Sequence, residues 1–291
     1  MNPPAPAATG TRSTATPAGS PVGDSIGFAV RPPRHFGLVN GPGLRTLYVK
    51  ELRRFSKVWT QTILAPVVTT LLFLAIFTLA LGRSVEAIAG VPFAHFLAPG
   101  LVMMAMVQNA FANTSSSIVI SKIQGNIVDV LMPPLSPGEL TAGYVLSGAT
   151  RGVLVGLITA LVMRIFVPYG IASPGLVVFH AISASMMLSM LGTVGGIWSE
   201  KFDHIAAVTN FIILPFSFLS GTFYSIERLP GMWQTLAHWN PFFYMIDGFR
   251  AGFIGHSDAP VALGIAVMTG CNIGLWLLCW WMFRTGYRLR S

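Results

Sequence analysis

The sequence predicts an all-α polytopic membrane protein with six transmembrane helices, a cytoplasmic amphipathic helix and an outer re-entrant helical hairpin. Two observations carry this prediction. Of the 291 residues, 53% are hydrophobic and only 10% are charged, whereas soluble domains carry about 25% charged residues. The apolar residues are also gathered into runs long enough to cross a bilayer. The chain lacks the charged residues that a soluble surface of this size would need.

Six apolar runs have the length of a transmembrane helix. About 20 apolar residues in an α-helix span the roughly 30 Å hydrocarbon core, whereas barrel strands take about 9–11 residues that alternate in polarity. The predicted spans are residues 60–82, 96–118, 142–167, 174–198, 207–224 and 260–283. Together they predict one transmembrane domain at residues 39–284.

Residues 1–38 differ in composition from the rest of the chain. The stretch MNPPAPAATGTRSTATPAGSPVG is rich in Pro, Ala, Gly, Ser and Thr. Such a composition buries too little apolar surface to fold, and it lacks the apolar core of a signal peptide. We expect a disordered cytoplasmic tail here, and a short basic cytoplasmic tail at residues 285–291.

Lysine and arginine are distributed unequally between the two sides of the predicted membrane. Of 18 such residues, thirteen fall in the N-terminal arm, after the second and fourth spans, and after the last span. Four lie near the opposite side. The positive-inside rule therefore places both termini in the cytoplasm. The net charge of +8 then indicates attraction to anionic membrane lipid, and no nucleic-acid partner is predicted.

The segment GLRTLYVKELRRFSKVW, just before the first span, has the spacing of an amphipathic helix. Its apolar residues recur on one helical face from Leu44 to Trp59. The charged positions of interest are Arg45, Lys50, Glu51, Arg53 and Arg54. A basic amphipathic helix lies in the headgroup plane. Two interpretations stay open: a lipid anchor that fixes topology, and a lever that also contacts a cytoplasmic partner.

The segment GNIVDVLMPPLSPGEL, residues 125–140, lies on the same face between the second and third spans. Its NIVDVLM part predicts about two helical turns, and Pro133 with Pro134 must end them because proline breaks a helix interior. An isolated helix this short is unstable in water, so we expect its apolar side chains to be uncovered and to need a groove. Either it packs against the protein's own spans and the headgroups, or it is a knob for a soluble subunit.

Glycine spacing in the third span predicts close helix packing. Gly148, Gly152 and Gly156 fall on one helical face, and glycine lets helix backbones approach closely in lipid. We expect this packing within one subunit. The alternative is that the face forms an interface between two copies or lines a path through the membrane.

Residues 225–256 predict a pair of helices at the outer face. Asn240 followed by Pro241 fits the N-cap and the first position of a helix. Aromatic residues crowd this stretch, as they do at membrane–water boundaries. We expect the pair to dip into the outer leaflet and return, with Asp247 and Arg250 paired on one face. An inert interfacial lid is the alternative.

The chain carries no nucleotide-binding motif and few groups suited to ion coupling. A P-loop needs a lysine directly after a glycine. The four lysines follow Val49, Ser56, Ser121 and Glu200. The predicted spans contain no Asp or Glu, which gradient-driven carriers use. His180 is expected to be a hydrogen-bonded packing residue, and Arg151 is a deep charge that either snorkels or pairs with a neighbour. No catalytic or metal site is predicted.

The order and spacing of several motifs resemble the membrane subunit of ABC-2 type exporters, over about residues 40–291. The matching stretches are FLAPGLVMMAMVQNAFANTSSSI, NIVDVLMPPLSPGELTAGYVLSGATRGVLVG and FLSGTFYSIERLPGMWQTLAHWNPFFYMIDGFRAGF. The resemblance implies a six-span permease of the bacterial inner membrane, with no enzymatic activity of its own. It also implies a second copy of the chain and a separate ATP-binding subunit that holds ATP and Mg²⁺.

The resemblance assigns roles to residues at both faces. In the family, the loop between the second and third spans carries the coupling helix that docks on the ATPase. The matching residues are Asn126, Ile127, Val128, Asp129, Leu131, Met132 and Pro133. The amphipathic segment would be the interfacial helix that grips the same subunit, and the hairpin at Asn240 would lie near the exit. The implied function is export of an amphiphilic, glycan or drug-like substrate, with an ion-gradient-driven carrier as the alternative.

Overall fold

The structure is a computed structural model that describes residues 39–82, 87–88, 90–226 and 229–289. Its helices are α1 (Gly41–Ser56), α2 (Ala65–Leu81), α3 (Phe93–Ile123), α4 (Ile127–Leu131), α5 (Pro137–Phe166), α6 (Pro174–Trp198), α7 (Phe202–Val208), α8 (Leu214–Leu219), α9 (Gly231–Trp239), α10 (Pro241–Ile254) and α11 (Val261–Thr285). Two π-helical turns, π1 (Thr60–Leu64) and π2 (Thr209–Ile213), lead into α2 and α8. Strands β1 (Ala87–Ile88) and β2 (Val91–Pro92) form an antiparallel hairpin. The tail predicted at 1–38 lies outside the described residues.

Six helical stretches of the described chain are long and apolar enough to cross a membrane, which confirms the predicted class and number of spans. They are Thr60–Ala80, Phe93–Ile123, Pro137–Phe166, Pro174–Trp198, Phe202–Leu219 and Val261–Thr285. The second has 31 residues, or about 46 Å at 1.5 Å per residue, more than the roughly 30 Å of hydrocarbon. It and the third therefore continue past the apolar runs from which the spans were predicted. The fifth spans 202–219 rather than 207–224.

Capping residues in the sequence set several helix boundaries. The side chain of Asn40 accepts a hydrogen bond from Gly43 N–H at 3.0 Å and starts α1. Asn240 does the same for α10, accepting from Phe242 N–H at 3.0 Å. Gly286, with φ 67°, ends α11 in a left-handed conformation that glycine adopts at no steric cost. The caps satisfy backbone groups that the helix ends leave unpaired.

The core of the bundle is formed by α3, α5 and α6, which pack against one another. In the most apolar stretch of α3, 78% of residues are buried, against 17% in the π1–α2 span and 11% in the π2–α8 span. α10 packs against α3, α6 and α11 at one end of the bundle. α3 is therefore the central helix, while the first, fifth and sixth spans leave most of their apolar surface open.

The glycine face of α5 is filled by the chain's own helices. A Cβ added at Gly148 would lie 2.2 Å from Ser189 Oγ of α6, and one at Gly156 would lie 2.1 Å from Met106 Cε of α3. At Gly152 the nearest atoms, Ala110 Cβ and the Met106 carbonyl oxygen, are both 2.9 Å away. These three glycines thus let α3 and α6 approach α5 within one copy of the chain.

Replacing Gly148 with Ala should destabilise the bundle. The added Cβ would meet Ser189 Oγ at 2.2 Å and Thr114 Cγ2 at 2.8 Å, and overpacking of this kind costs about 1–3 kcal/mol. Gly270→Ala on α11 is the matched control because nothing lies within 4 Å of its Cβ. It should be neutral or gain up to about 1 kcal/mol from helix propensity. Thermal unfolding in detergent measures both, and equal midpoints would contradict the packing role.

Candidate docking surface and membrane cavity

α4 is half buried at the end of the bundle where it joins α3 to α5. Ile127 and Val130, with 6% and 8% of their surface exposed, pack in one cluster with Leu47 of α1. Val128 and Met132 are 53% and 76% exposed. The expectation that the apolar side chains of this segment are uncovered is therefore wrong for Ile127 and Val130, because both belong to a buried cluster that also contains residues of α1, α3 and α5. The remaining face is open.

A groove of about 530 Å³ separates α1 from α4. Its lining residues are Gly43, Thr46, Leu47, Lys50, Asn126, Asp129, Val130, Pro133 and Leu135. The lining combines an apolar floor with one cation, Lys50, and one anion, Asp129. An apolar patch with a polar rim is the usual composition of a protein–protein contact surface. The groove, Val128 and Met132 are together called the docking surface below.

Glu139 is a buried carboxylate that joins α1, the loop after α4 and α5. One carboxylate oxygen accepts a hydrogen bond from Asn40 N–H, and the other accepts from Ser136 N–H at 2.6 Å. Asn40 Nδ2 also donates to the Pro134 carbonyl at 3.2 Å. Sequence reasoning missed Asn40 and Glu139, although the S-x-x-E signature at 136–139 marks a capping box. These bonds hold both sides of the groove to one another.

The second half of α1 is anchored to α3 by a partly buried ion pair. Glu51 has no exposed surface, accepts a hydrogen bond from Ser117 Oγ at 2.8 Å and pairs with Arg54 Nε at 3.0 Å. Arg54 Nη2 donates onward to the backbone and side-chain oxygens of Asn113, at 2.7 and 2.9 Å. A buried pair costs desolvation, which further hydrogen bonds of this kind offset.

α1 is amphipathic, but its polar face is narrower than the sequence predicts. Arg45, Lys50 and Arg53 are exposed. Glu51 is buried and Arg54 only partly exposed, because α3 supplies polar partners for both side chains. Of the exposed cations, Lys50 lines the docking groove.

A row of polar side chains on α3, called the polar stripe below, consists of Asn109, Asn113 and Ser117. Residues four apart lie on the same face of a helix. Asn113 Nδ2 donates to Ser147 Oγ of α5 at 3.3 Å, and Asn109 Oδ1 accepts from Arg151 Nη2 of α5 at 3.1 Å. The stripe therefore bonds to α5 as well as to α1. Its i, i+4 spacing inside an apolar span was a readable signal that sequence reasoning missed.

A cavity of about 810 Å³ opens between α1, α2, α3, α5 and α8. Two arginines, Arg54 and Arg151, lie in its wall, and no carboxylate is among its lining residues. The uncharged polar lining residues are Gln61, Thr62, Thr69, Thr70, Gln108, Asn109 and Ser116. The turn π1 borders the cavity, and π2 leads into α8 on its other side. Such π-turns are frequent at functional sites.

The helices predicted at the outer face differ in burial. Twelve of the 14 residues of α10 are buried, so its aromatic side chains belong to the core. The exposed aromatic residues lie on α9, where Trp233 and Trp239 are 49% and 83% exposed. The depth at which the pair meets the outer leaflet stays a prediction.

Asp247 and Arg250 of α10 bind different partners. The predicted ion pair between them is absent from the described residues. Asp247 accepts hydrogen bonds from Ser257 Oγ at 2.5 Å and from Asp258 N–H at 2.9 Å. Burial raises the pKa of the Asp247 carboxyl above its ordinary value, although these hydrogen bonds act in the opposite direction. The carboxylate therefore closes the turn between α10 and α11.

Arg250 ties α10 to the segment that follows α8. Its Nη2 donates to the Gly221 carbonyl at 2.5 Å, and its guanidinium carbon lies 3.8 Å from the centre of the Phe96 ring. A cation over an aromatic face is attracted by the ring quadrupole. Arg250 and Asp247 thus fix α10 to two different neighbouring segments, the one after α8 and the turn before α11.

His180 of α6 also lies beside α10. Its Nδ1 is 2.9 Å from the Leu176 carbonyl, and the imidazole fills the space above Gly248. This geometry is that of a packing residue. Among the described residues no group of three or more His, Cys, Asp or Glu is placed to hold a metal ion.

The fold and these sites define a class, the multi-pass membrane permeases. The described chain has six apolar helices long enough to cross a membrane, four of these spans line the cavity, and a groove lies between α1 and α4. Comparison with known families gives a match to the ABC-2 type transporter over residues 42–254. The chain belongs to this family.

Named relatives agree with the family. The inner membrane transport permease YadH of Escherichia coli strain K12 is 36% identical over 248 residues, which cover 85% of this chain and 97% of the relative. A protein of the same name from Shigella flexneri has the same identity and coverage. Nodulation protein J of Sinorhizobium fredii is 25% identical over 193 residues, 65% of this chain and 72% of that protein. The resemblance inferred from the motifs is confirmed, and the chain is a multi-pass permease of the inner membrane.

Replacing Glu139 with Ala should release the start of α1 from α5. The change removes the acceptor for the N–H groups of Asn40 and Ser136, and hydrogen bonds to a charged group contribute about 1.5–3 kcal/mol each. Amide exchange over residues 40–50 should accelerate by about tenfold or more, measured by mass spectrometry. Glu200→Ala, which removes an exposed carboxylate, is the control and should leave exchange unchanged. Equal protection in both variants would argue against the joint.

Proposed function

We propose that the chain is the membrane subunit of an ATP-driven exporter, and that its ATP-binding subunit docks on the docking surface. One observation carries the proposal. A helix of five residues, α4, is packed through Ile127 and Val130 but presents Val128 and Met132 beside a charged groove. A partner that covers those side chains would remove apolar surface from water.

ATP and Mg²⁺ then belong to the partner. A phosphate-binding P-loop requires a glycine before its lysine, and each of the four lysines of this chain follows another residue type. The distribution of basic residues supports a cytoplasmic position for both termini. The docking surface, at the α4 end where Lys122 and Lys201 lie, would thereby face the compartment that holds ATP.

We also propose that two copies of the chain pack together across the first and fifth spans, with lipid around the remaining surface. Large apolar side chains stand open on both, for example Leu79 at 79% and Phe211 at 80% exposure. The cavity opens between these spans, and polar groups left facing hydrocarbon would cost several kcal/mol each. A second copy would close the cavity from lipid.

The alternative, a gradient-driven carrier, finds little support in the geometry. The longer helices bring Glu139 and Asp203 into the first turns of α5 and α7. Glu139 already accepts backbone hydrogen bonds at the bundle end, and Asp203 is exposed. Neither is a buried carboxylate at mid-membrane depth, where proton-coupled carriers place theirs.

The double variant Val128→Asp, Met132→Asp should abolish docking while membrane insertion stays intact. Both side chains are largely exposed, so the folded bundle tolerates the change, whereas an unpaired carboxylate in an interface costs several kcal/mol. Copurification with the co-expressed ATP-binding subunit should fall by about 100-fold or more. Met232→Asp, on a residue 70% exposed on α9 at the opposite end, is the control. Equal retention by the double variant and the control would contradict the docking assignment.

Vesicles that contain this chain alone should not move an amphiphile when a proton or sodium gradient is imposed. Vesicles that also contain the ATP-binding subunit should do so with Mg-ATP, because the chain has no nucleotide site of its own. Dithionite quenching of fluorescently labelled phospholipids and glycolipids measures the movement. Gradient-dependent movement without the ATP-binding subunit would favour the alternative carrier.

A further inference from the structure

Arg151 lies at the middle of a membrane-crossing helix. It is 14 residues from Pro137 and 15 from Phe166, the ends of α5, so about 21 Å of helix extends on either side. An arginine at the bilayer centre costs roughly 2.5–3.5 kcal/mol on insertion scales, and such residues mark functional sites. Its depth therefore calls for a compensating interaction.

The polar partners of Arg151 within the described chain do not balance its charge. Arg151 Nη2 donates to Asn109 Oδ1 at 3.1 Å, while its Nε is buried without a hydrogen-bond partner. None of the ion pairs among the described residues involves Arg151. The neighbouring cation in the cavity, Arg54, is already neutralised by Glu51 at 3.0 Å. The cavity wall thus keeps one positive charge without a counter-charge.

A second copy of the chain offers no carboxylate for this charge. The predicted spans contain no Asp or Glu, and Glu139 and Asp203 lie at helix starts rather than at the depth of Arg151. Symmetry places each residue of the second copy at the same membrane depth as in the first. The missing anion must therefore come from a bound molecule.

The cavity wall indicates what kind of molecule fits. Arg151, Asn109 and Gln108 form a polar patch in it, and Phe73, Leu101 and Phe218 are among its apolar lining residues. A guanidinium presents several N–H donors in a plane that matches the oxygens of phosphate or carboxylate. The amide of Gln108 adds donors without opposing charge, whereas Asn109 Nδ2 already donates to the Ala105 carbonyl. An anionic headgroup with an apolar tail satisfies both parts of the wall.

We propose that Arg151 binds the phosphate or carboxylate headgroup of an anionic amphiphile, which this cavity accepts as the transported substrate. The inference rests on the proposed export function and adds the substrate class. Asn109 holds the guanidinium in place through Nη2, and the remaining Nη donors are left for the ligand. The apolar tail lies against the lining residues of α2, α3 and α8.

Titration of the purified full-length chain in neutral detergent tests the proposal. Dioctanoyl phosphatidic acid is the probe, dioctanoyl glycerol is its uncharged match, and inorganic phosphate supplies the headgroup charge alone. The wild type should bind phosphatidic acid at least tenfold more tightly than dioctanoyl glycerol. Inorganic phosphate should compete only weakly, because it lacks the tail. Equal affinity for the two lipids overturns the proposal, and equal competition by inorganic phosphate overturns its amphiphile part.

Two variants locate the site. Arg151→Gln should abolish the tenfold preference, and Arg151→Lys, which keeps the charge but loses the planar donors, should retain part of it. Arg164→Gln is the matched control, since Arg164 is an exposed arginine on the same helix, and its preference should equal that of the wild type. A preference that survives in Arg151→Gln, or that Arg164→Gln also loses, overturns the assignment to Arg151. The titration contains neither nucleotide nor ATP-binding subunit, so its failure would leave the docking tests unaffected.

Discussion

The polar stripe of α3 is the interaction on which the interior of this permease depends. Hydrocarbon contains no water, so a polar side chain inside a span must find its partner within the protein. Asn113 accepts a hydrogen bond from Arg54 of α1, and Ser117 donates one to Glu51 of α1. Asn109 accepts a hydrogen bond from Arg151 of α5. One face of α3 thereby bonds to charged side chains of both α1 and α5. Because α3 contacts both helices, it lies at the centre of the bundle.

Small residues make that central position possible. Gly148 and Gly152 of α5, and Gly192 of α6, leave no room for a Cβ against their neighbours. Close backbone approach in turn brings Ser147 and Ser189 within hydrogen-bond distance of groups on adjacent helices. Packing of small residues and hydrogen bonds between helices are the main forces that hold helices together in lipid. Both act on the same three helices here.

Much of the fold could be predicted from the sequence because apolar length and proline or glycine positions are local signals. The six spans, the cap at Asn240 and the end of α4 just before Pro133 are of this kind. The partners of Glu51 and Arg54 could not be predicted, because they lie about 60 residues away on α3. The i, i+3 spacing of Asp247 and Arg250 suggested an ion pair between them. In the fold, Arg250 bonds to the Gly221 carbonyl and Asp247 to Asp258 N–H instead. The cavity likewise depends on how five helices and a π-turn meet, which no single segment encodes.

The contacts of α1 connect the docking surface to the cavity. The first turn of α1 is held to the loop after α4 through Glu139, and its last turn is bonded to Asn113 through Arg54. Asn113 lies one helical turn from Asn109, the partner of Arg151. A partner that displaces α4 and the loop after it would therefore move α1 as well, since the joint at Glu139 is made of charge-assisted hydrogen bonds. Movement of Arg54 would in turn disturb the charged part of the cavity lining, which consists of Arg54 and Arg151. A force applied at the docking surface would therefore act on the site where an anion is expected to bind.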